Sequence, residues 1–360
     1  MRICHIITAF GYGGAEKLLV DLVNIQLKNH EVHIVYLKDE PLLLPLITGT
    51  VQLHKVNLDI RCAHNLRKFI KILNPDIIHT QLGHADLIGL WASRNLKAKQ
   101  FCTMQNIWFK WNWMDYLIFF IYSIIFNTVA KNCKVIAISK SVFSHVEKVL
   151  KVPNSRIILM HNSIPTVVVE KSKEKIREEL YIPSDAFCVL FVGRLALQKS
   201  VETLLYATKE LEGKIENLQI LIVGTGVLKD KLENLTKELE ISEVVVFAGN
   251  SNEVEKYFAS ADVFVLPSVF EGLGMVILEA FRASLLTIAT NVEGPKELIK
   301  DGYNGLLFEP KDHKKLAEHI LQIYRNPELR KKIGENGYRS YDNKYDIITY
   351  AKQLEALYLQ

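Results

Sequence analysis

The chain has 360 residues, 49% of them hydrophobic and 23% charged, with a net charge of +4. That balance excludes a disordered, collagen-like or disulfide-dense chain, and the length suits two domains of ordinary size. The five cysteines, Cys4, Cys62, Cys102, Cys133 and Cys188, form no CxxC pair and no metal-ligand spacing, which suits buried thiols in a reducing cytosol.

The opening "MRICHIITAF" runs into "GYGGAE" and not into a small-residue cleavage site, so it reads as a first strand and not as a signal peptide. Further strands are expected at "EVHIVYL", "PDIIHT" and "KVIAIS", separated by helical spacing such as "AEKLLVDLVNIQLKN". This is βαβ order and predicts a parallel sheet. The order pauses at "RIILMHNSIPTVVVEKSKEKIREEL", where an apolar run gives way to a charged stretch, and resumes with "FCVLFVGRL", "LQILIVGTG", "VVVFAGN", "DVFVLPS" and "LLTIATN". The fold class is therefore α/β, with two Rossmann-like doubly wound domains at 1–165 and 166–342. A helix over 343–360 is expected to pack back toward the first domain. Open α/β sheets bind ligands outside the carboxyl ends of their strands, so the motif-bearing loops are expected to face a cleft between the domains.

Charge is unevenly placed. Residues 1–165 hold 19 Lys and Arg against 10 Asp and Glu, and nine of the eleven histidines; the remainder holds 25 against 30. A basic half suits phosphates or anionic lipid, and no nucleic-acid motif accompanies it, so nucleic acid is not expected as a partner. The same half contains "WFKWNWMDYLIFFIYSIIF", with Trp108, Phe109, Trp111, Trp113, Phe119, Phe120, Tyr122 and Lys110. Its uninterrupted apolar part is about half the roughly 20 residues needed to span a bilayer. Two readings stay open: an interfacial anchor on an anionic membrane, or an internal helix packed on the first sheet.

Five loops carry the candidate chemistry. Gly13 and Gly14, followed by Glu16, sit where a strand enters a helix, the arrangement that brings backbone amides close to a phosphate; a plain tight turn is the other reading. Arg194 and Lys199 in "GRLALQKS" place two cations just past a strand, suited to a diphosphate. Gly224, Gly226 and Gly249 either leave room for a base or sugar or cap helices. The stretch "FEGLGMVILEA" sets Glu271 eight residues before Glu279, with Gly272, Leu273, Gly274 and Met275 between them at an expected helix N-terminus. Such a carboxylate, amide, carboxylate order suits three contacts along one elongated ligand: sugar, diphosphate and ribose.

Together with "PDIIHTQLGHADLIG", "HNSI", "VFAGN" and "NVEGPKELIKDGYNGLLFEPKD", these motifs make nearly the whole chain resemble the retaining GT-B glycosyltransferases of family 4, marked by their E-x7-E motif. The resemblance implies two Rossmann-like domains facing across a cleft. It implies that Glu279 holds the ribose of a nucleotide-sugar, that Glu271 holds the sugar hydroxyls, and that Arg194 and Lys199 bind the diphosphate, with Gly224, Gly249 and residues 272–275 beside them. Gly13 and Gly14 would close on the donor, and Glu16, His84 and Asn162 would lie on the acceptor side, His84 sharing in proton handling. The catalytic set is then His84, Glu271, Arg194 and Lys199. Departures are Leu273 in place of an aromatic, Gln105 where many relatives have histidine, and Ser200 in place of the glycine after the donor-site lysine. No Asp-x-Asp triplet occurs, so neither metal nor cofactor is expected.

The implied activity is transfer of a sugar, on this resemblance from a UDP-sugar, to a saccharide or polyprenyl-linked saccharide. The expected setting is bacterial cell-surface polysaccharide synthesis in the cytoplasm or on the cytoplasmic face of the inner membrane. A nonhydrolysing nucleotide-sugar epimerase shares the same plan, and a nucleotide-sugar binding module without turnover is a second alternative.

Overall fold

The structure is a computed structural model. It describes residues 1–360 apart from 12, 40, 107–112, 168 and 342–343, and apart from the side chains of 113–116, 118 and 119. The chain divides into two units, Met1–Pro165 with Asp346–Gln360, and Thr166–Tyr345.

The first unit alternates strand and helix: β1 Arg2–Ala9, α1 Gly14–Gln26, β2 Glu31–Lys38, β3 Gln52–Lys55, α2 Cys62–Leu73, β4 Ile77–Gln81, α3 His84–Ala92, β5 Lys99–Met104, α4 Trp113–Ile124, β6 Lys134–Ala137, α5 Lys140–Lys148 and β7 Ile157–Leu159. All seven strands are parallel, in the order β3-β2-β1-β4-β5-β6-β7. Alternation along the central strands decides the packing. Cys4 and Ile6 of β1 with Val35 and Leu37 of β2 join Leu66 and Ile70 of α2 on one face; Ile7, Ile34 and Tyr36 meet Leu19 and Val23 of α1 on the other.

The second unit contains α6 Lys173–Glu179, β8 Phe187–Val192, α7 Val201–Glu210, β9 Leu218–Val223, α8 Lys229–Glu238, β10 Val245–Gly249, α9 Val254–Ser260, β11 Val263–Leu266, α10 Met275–Arg282, β12 Leu286–Thr290, α11 Glu293–Leu298, β13 Leu306–Phe308, α12 His313–Arg325 and α13 Pro327–Tyr341. Its parallel sheet runs β10-β9-β8-β11-β12-β13. Asp262 anchors α6 beneath this sheet: its carboxylate meets Lys173 and Arg177, each at 2.8 Å, and accepts from the Cys188 amide at 2.8 Å.

The last helix, α14 Ile347–Leu359, belongs to the first unit. It completes a buried polar layer under that sheet. His79, fully buried in β4, is hydrogen-bonded through Nδ1 to the Tyr358 hydroxyl at 2.5 Å and through Nε2 to Thr103 Oγ1 at 2.7 Å. His5 lies opposite His79 in register and bonds Gln26 of α1 at 2.8 Å. Buried polar groups need such partners. Burial lowers the His5 pKa to about 4, with the Gln26 bond pulling the other way; burial and then the neighbouring His5 lower that of His79. His79 is thus a structural residue in mid-strand.

Candidate functional site

Both sheets reverse their strand order once, between β1 and β4 in the first unit and between β8 and β11 in the second. In open α/β sheets such switch points, at the carboxyl ends of the strands, are where ligands generally bind. The sequence motifs fall on the loops following those four strands. Gly13 caps α1 after β1, His84 opens α3 after β4, Arg194 and Lys199 follow β8, and Glu271 follows β11.

In the second unit the loop after β8 and the loop after β11 are bound together. Lys199 Nζ lies 2.5 Å from Glu271 Oε1, and Ser268 Oγ donates to the same oxygen at 2.6 Å. The two side chains of the ion pair are only 16% and 8% exposed. Gln198 reinforces the join from the backbone side: its amide nitrogen donates to Phe270 O at 3.0 Å, and its carbonyl accepts from Val269 N at 2.9 Å. Arg194 is exposed beside them. Ser200, where the resemblance implies a glycine, has φ 45° and is buried with its hydroxyl 3.0 Å from Thr203 Oγ1. Its left-handed backbone explains why glycine suits that position, and the local hydroxyl contact shows how serine meets it.

Gly274 caps α10 with φ 86° and has no side chain with which to cap that helix. This is an anion-accepting end. Leu273 is buried at 1% exposure, so its backbone is the part that can face a ligand. On α10 itself Ile277, Leu278, Ala280 and Phe281 point inward, while Met275, Val276, Glu279 and Arg282 are half-buried. Glu279 therefore escapes the apolar packing of its neighbours and shares a helix face with Met275 and Arg282. Gly224 has a different reason for being glycine: a Cβ there would stand 2.0 Å from Gly193 O, so it lets the loops after β9 and β8 lie against each other. Gly249, with φ 70°, supports the same join by accepting from the Gly224 amide at 2.7 Å.

In the first unit, the Glu16 carboxylate lies over Gly13, its Oε2 2.3 Å from where a Cβ would stand, at the N-terminal turn of α1. His84 is exposed at the first position of α3; partial desolvation and then the Lys38 charge lower its pKa. Neutral imidazole is favoured as a result. Asn162 is buried and donates to Gln105 Oε1 at 2.7 Å, and Gln105 donates to Gln81 Oε1 at 3.1 Å. This amide chain crosses the ends of β4, β5 and β7. Gln105 had only its departure from histidine to mark it, and Gln81, Ser268 and Gln198 carried no marking signal beyond their position at strand ends. Among the described residues no group of three or more His, Cys, Asp or Glu is placed to hold a metal ion.

Of the aromatic segment, Trp108, Phe109, Lys110 and Trp111 lie outside the described residues, as do the side chains of Trp113 and Phe119. What is described of α4 faces two ways. Tyr122 is buried, as are Ile125 and Phe126 on the π-helical turn Ile125–Val129 that follows. Leu117, Phe120, Ile121 and Ile124, at helical spacing, are 40 to 63% exposed. No helix among the described residues is long and apolar enough to cross a membrane.

Two parallel α/β units, each carrying its charged or glycine-rich loops at a strand-order switch point, define a two-domain Rossmann-like architecture. Solved structures identify it as GT-B: the crystal structure of Anabaena HepE in complex with UDP-glucose matches with a TM-score of 0.88 over the whole of both chains, at 18% identity. The family model "Glycosyl transferases group 1" matches residues 172–340, and that for "Glycosyltransferase Family 4" matches residues 12–168. The chain belongs to glycosyltransferase family 4.

Among curated proteins, the chain is 31% identical over 235 residues to an uncharacterised glycosyltransferase of Methanocaldococcus jannaschii, covering 63% of this chain and 60% of that one. It is 26% identical over 344 residues to the N-acetylgalactosamine-N,N'-diacetylbacillosaminyl-diphospho-undecaprenol 4-alpha-N-acetylgalactosaminyltransferase of Campylobacter jejuni, covering 90% of each. The chain spans between 43 and 60% of the length of the first three curated relatives it matches.

Proposed function

We propose that the protein is a retaining glycosyltransferase that moves a sugar from a UDP-sugar to a hydroxyl of a saccharide or polyprenyl-linked saccharide, in the synthesis of a bacterial cell-surface polysaccharide. The observation that carries this reading is the Lys199–Glu271 pair, held between the loops of the second sheet's switch point, with Glu271 a few residues before the N-terminus of α10. A nucleotide-sugar presents there a diphosphate for Lys199, Arg194 and the α10 amides, sugar hydroxyls for Glu271 and ribose hydroxyls for Glu279. Donor diphosphate competes with Glu271 for the Lys199 ammonium, which frees the carboxylate to accept from the sugar. As the sugar–phosphate bond breaks, the negative charge grows on the phosphate that these cations and amides face, so stabilisation rises toward the transition state.

Glu271 is a poor candidate for a covalent nucleophile, because its Oε1 already accepts from an ammonium and a hydroxyl. This supports attack by the acceptor on the same face of the sugar that the phosphate leaves, the departing phosphate helping to take the acceptor proton. A glycosyl–Glu271 adduct found by mass spectrometry would overturn that mechanism. His84, favoured as neutral imidazole, assists on the acceptor side. The charge on the leaving group is neutralised by Arg194, Lys199 and helix amides without a divalent metal; loss of turnover on chelation, restored by manganese, would refute this.

The acceptor assignment draws on the Campylobacter relative, whose name states a diphospho-undecaprenol acceptor. The exposed apolar stripe of α4 and the basic excess of residues 1–165 support a peripheral position on the cytoplasmic face of an anionic membrane. Flotation with phosphatidylglycerol-containing vesicles tests it, and no retention at low salt would sink it. The deciding experiment for the whole reading is a panel of nucleotide-sugars, beginning with UDP-glucose, scored for acceptor-dependent nucleotide release by wild type, Glu271→Ala and Glu279→Ala. Turnover that survives both substitutions would end the site assignment.

A further inference from the structure

The imidazole of His84 makes no hydrogen bond among the described residues, so the turn that carries it decides where it stands. That turn is unusual. Leu82 has φ 69°, a left-handed conformation that a leucine adopts only under constraint, and Gly83 follows with φ 39° and ψ −96°. Two side chains from elsewhere in the unit supply the constraint. Thr8, at the end of β1, donates its hydroxyl to Leu82 O and accepts from the Ala85 amide at 3.0 Å. Tyr122, on the inner face of α4, donates its hydroxyl to Gly83 O at 2.6 Å. Its ring is fully buried and stacks near Phe126, with centroids 6.1 Å apart. The hydroxyl is therefore the one polar atom of a packed aromatic side chain, and it is spent on the carbonyl immediately before His84.

We propose that Tyr122 is a positioning residue for the acceptor-side histidine: its hydroxyl, acting together with that of Thr8, holds the Leu82–Gly83 turn that presents His84. This rests on the reading of His84 given above, and adds that the residue is placed through its preceding peptide and not through its ring. Tyr122 contributes no group to the reaction. It fixes the direction in which α3 begins, and its anchor is a long helix that the loop itself does not contain.

Tyr122→Phe removes the hydroxyl and keeps the ring. The test follows the side-chain Cε1–H resonance of His84 by NMR titration of the full chain, assigned by its absence in His84→Gln. In wild type His84 titrates below the ordinary histidine value. Release of the turn in Tyr122→Phe is expected to raise its pKa toward 6.5 by a readily measured shift and broaden the resonance, while those of buried His5 and His79 stay in place. Acceptor-dependent turnover should fall about tenfold, as one lost hydrogen bond of roughly 1.4 kcal/mol would give, with donor KM unchanged. Thr8→Val removes the other hydroxyl and should reproduce the shift, which keeps the test open if the phenylalanine variant fails to fold. An unchanged His84 titration in both variants overturns the proposal. Loss of turnover in His84→Gln with no effect of Tyr122→Phe overturns the positioning role alone, whereas full turnover in His84→Gln overturns the assignment of His84 itself.

Discussion

Replacing Lys199 with methionine probes the candidate site where the structure is most specific. The ammonium stands 2.5 Å from Glu271 Oε1 with both side chains nearly closed off from water. Methionine keeps the bulk and leaves a carboxylate that still accepts from the Ser268 hydroxyl. Breaking such a pair from one side costs about 3 kcal/mol, because an uncompensated charge stays behind. Adding Glu271→Gln removes that charge, so the double variant should recover part of the loss, with a coupling of about 1.5 kcal/mol or more. Turnover should behave differently: on the proposed role of Lys199 at the leaving phosphate, its loss costs roughly 10²–10³-fold, and the double variant should not recover it. All four tryptophans, Trp91, Trp108, Trp111 and Trp113, belong to the first half of the chain, so fluorescence is blind to this event. Hydrogen exchange at α10 amides under mild urea reads it. Single variants within 0.5 kcal/mol of wild type, or a double variant with restored turnover, would refute the reasoning.

Asp86, buried under the first turn of α3, has a pKa raised to about 7 by desolvation, with the Thr80 hydroxyl and Cys102 thiol pulling it down; folding therefore takes up a proton and gains stability as pH falls from about 7 toward 3.8. His5, lowered from 6.5 to about 4, works in the opposite sense: the unfolded chain binds the proton first, and about 3 kcal/mol is lost as pH falls through that window. Asp86→Asn should thus leave the loss uncovered, with urea midpoints falling more steeply below pH 6.5 than in wild type; parallel profiles would refute the opposition. Tyr358→Phe strands His79 Nδ1 and should cost about 1–3 kcal/mol, seen as a lower first-unit melting temperature by Trp91 fluorescence. Glu279→Gln should raise donor KM about tenfold with kcat little changed, because the proposed ribose contact would be made equally in ground and transition states; an equal fall in kcat would move Glu279 into the reacting centre.

The nine strands expected from apolar runs all form, and the four not foreseen fail for two physical reasons. β3, β7 and β13 are edge strands of four, three and three residues, too short for alternation to register as a period. β5 is central, but reads Lys-Gln-Phe-Cys-Thr-Met; its polar positions are satisfied by partners outside the strand, Gln100 by Ser93 and Thr103 by His79. A central strand with polar side chains looks like a loop until the groups that bond to them are in place. For α4 the sequence posed a choice between membrane surface and core, and the described part of the helix buries Tyr122 while exposing Leu117, Phe120, Ile121 and Ile124. An apolar run without gaps cannot distinguish two apolar environments, because periodicity arises only where one side of a helix meets water as the other meets protein.

At the site, legibility follows whether a role resides in a residue type at a fixed spacing or in a partner brought from afar. Glu271, Gly274 and Glu279 lie within one turn-to-helix unit, so their order along the chain is already their order in space. Lys199 and Glu271 are 72 residues apart, and nothing local says that one neutralises the other. Their pairing follows only from strand order, since β8 and β11 become neighbours at the switch point. Ser200 makes the same point from backbone geometry. As a letter it is a departure from the family's glycine, and as a φ of 45° it is the same requirement met by a different residue. The clamp on His84 is the extreme case: Thr8, Gly83 and Tyr122 come from three segments, each reading as ordinary strand, turn or apolar helix, and only the folded sheet puts two hydroxyls onto two successive carbonyls. A loop residue is thus readable in sequence for what it can do, while where it stands is written in the elements that hold its neighbours.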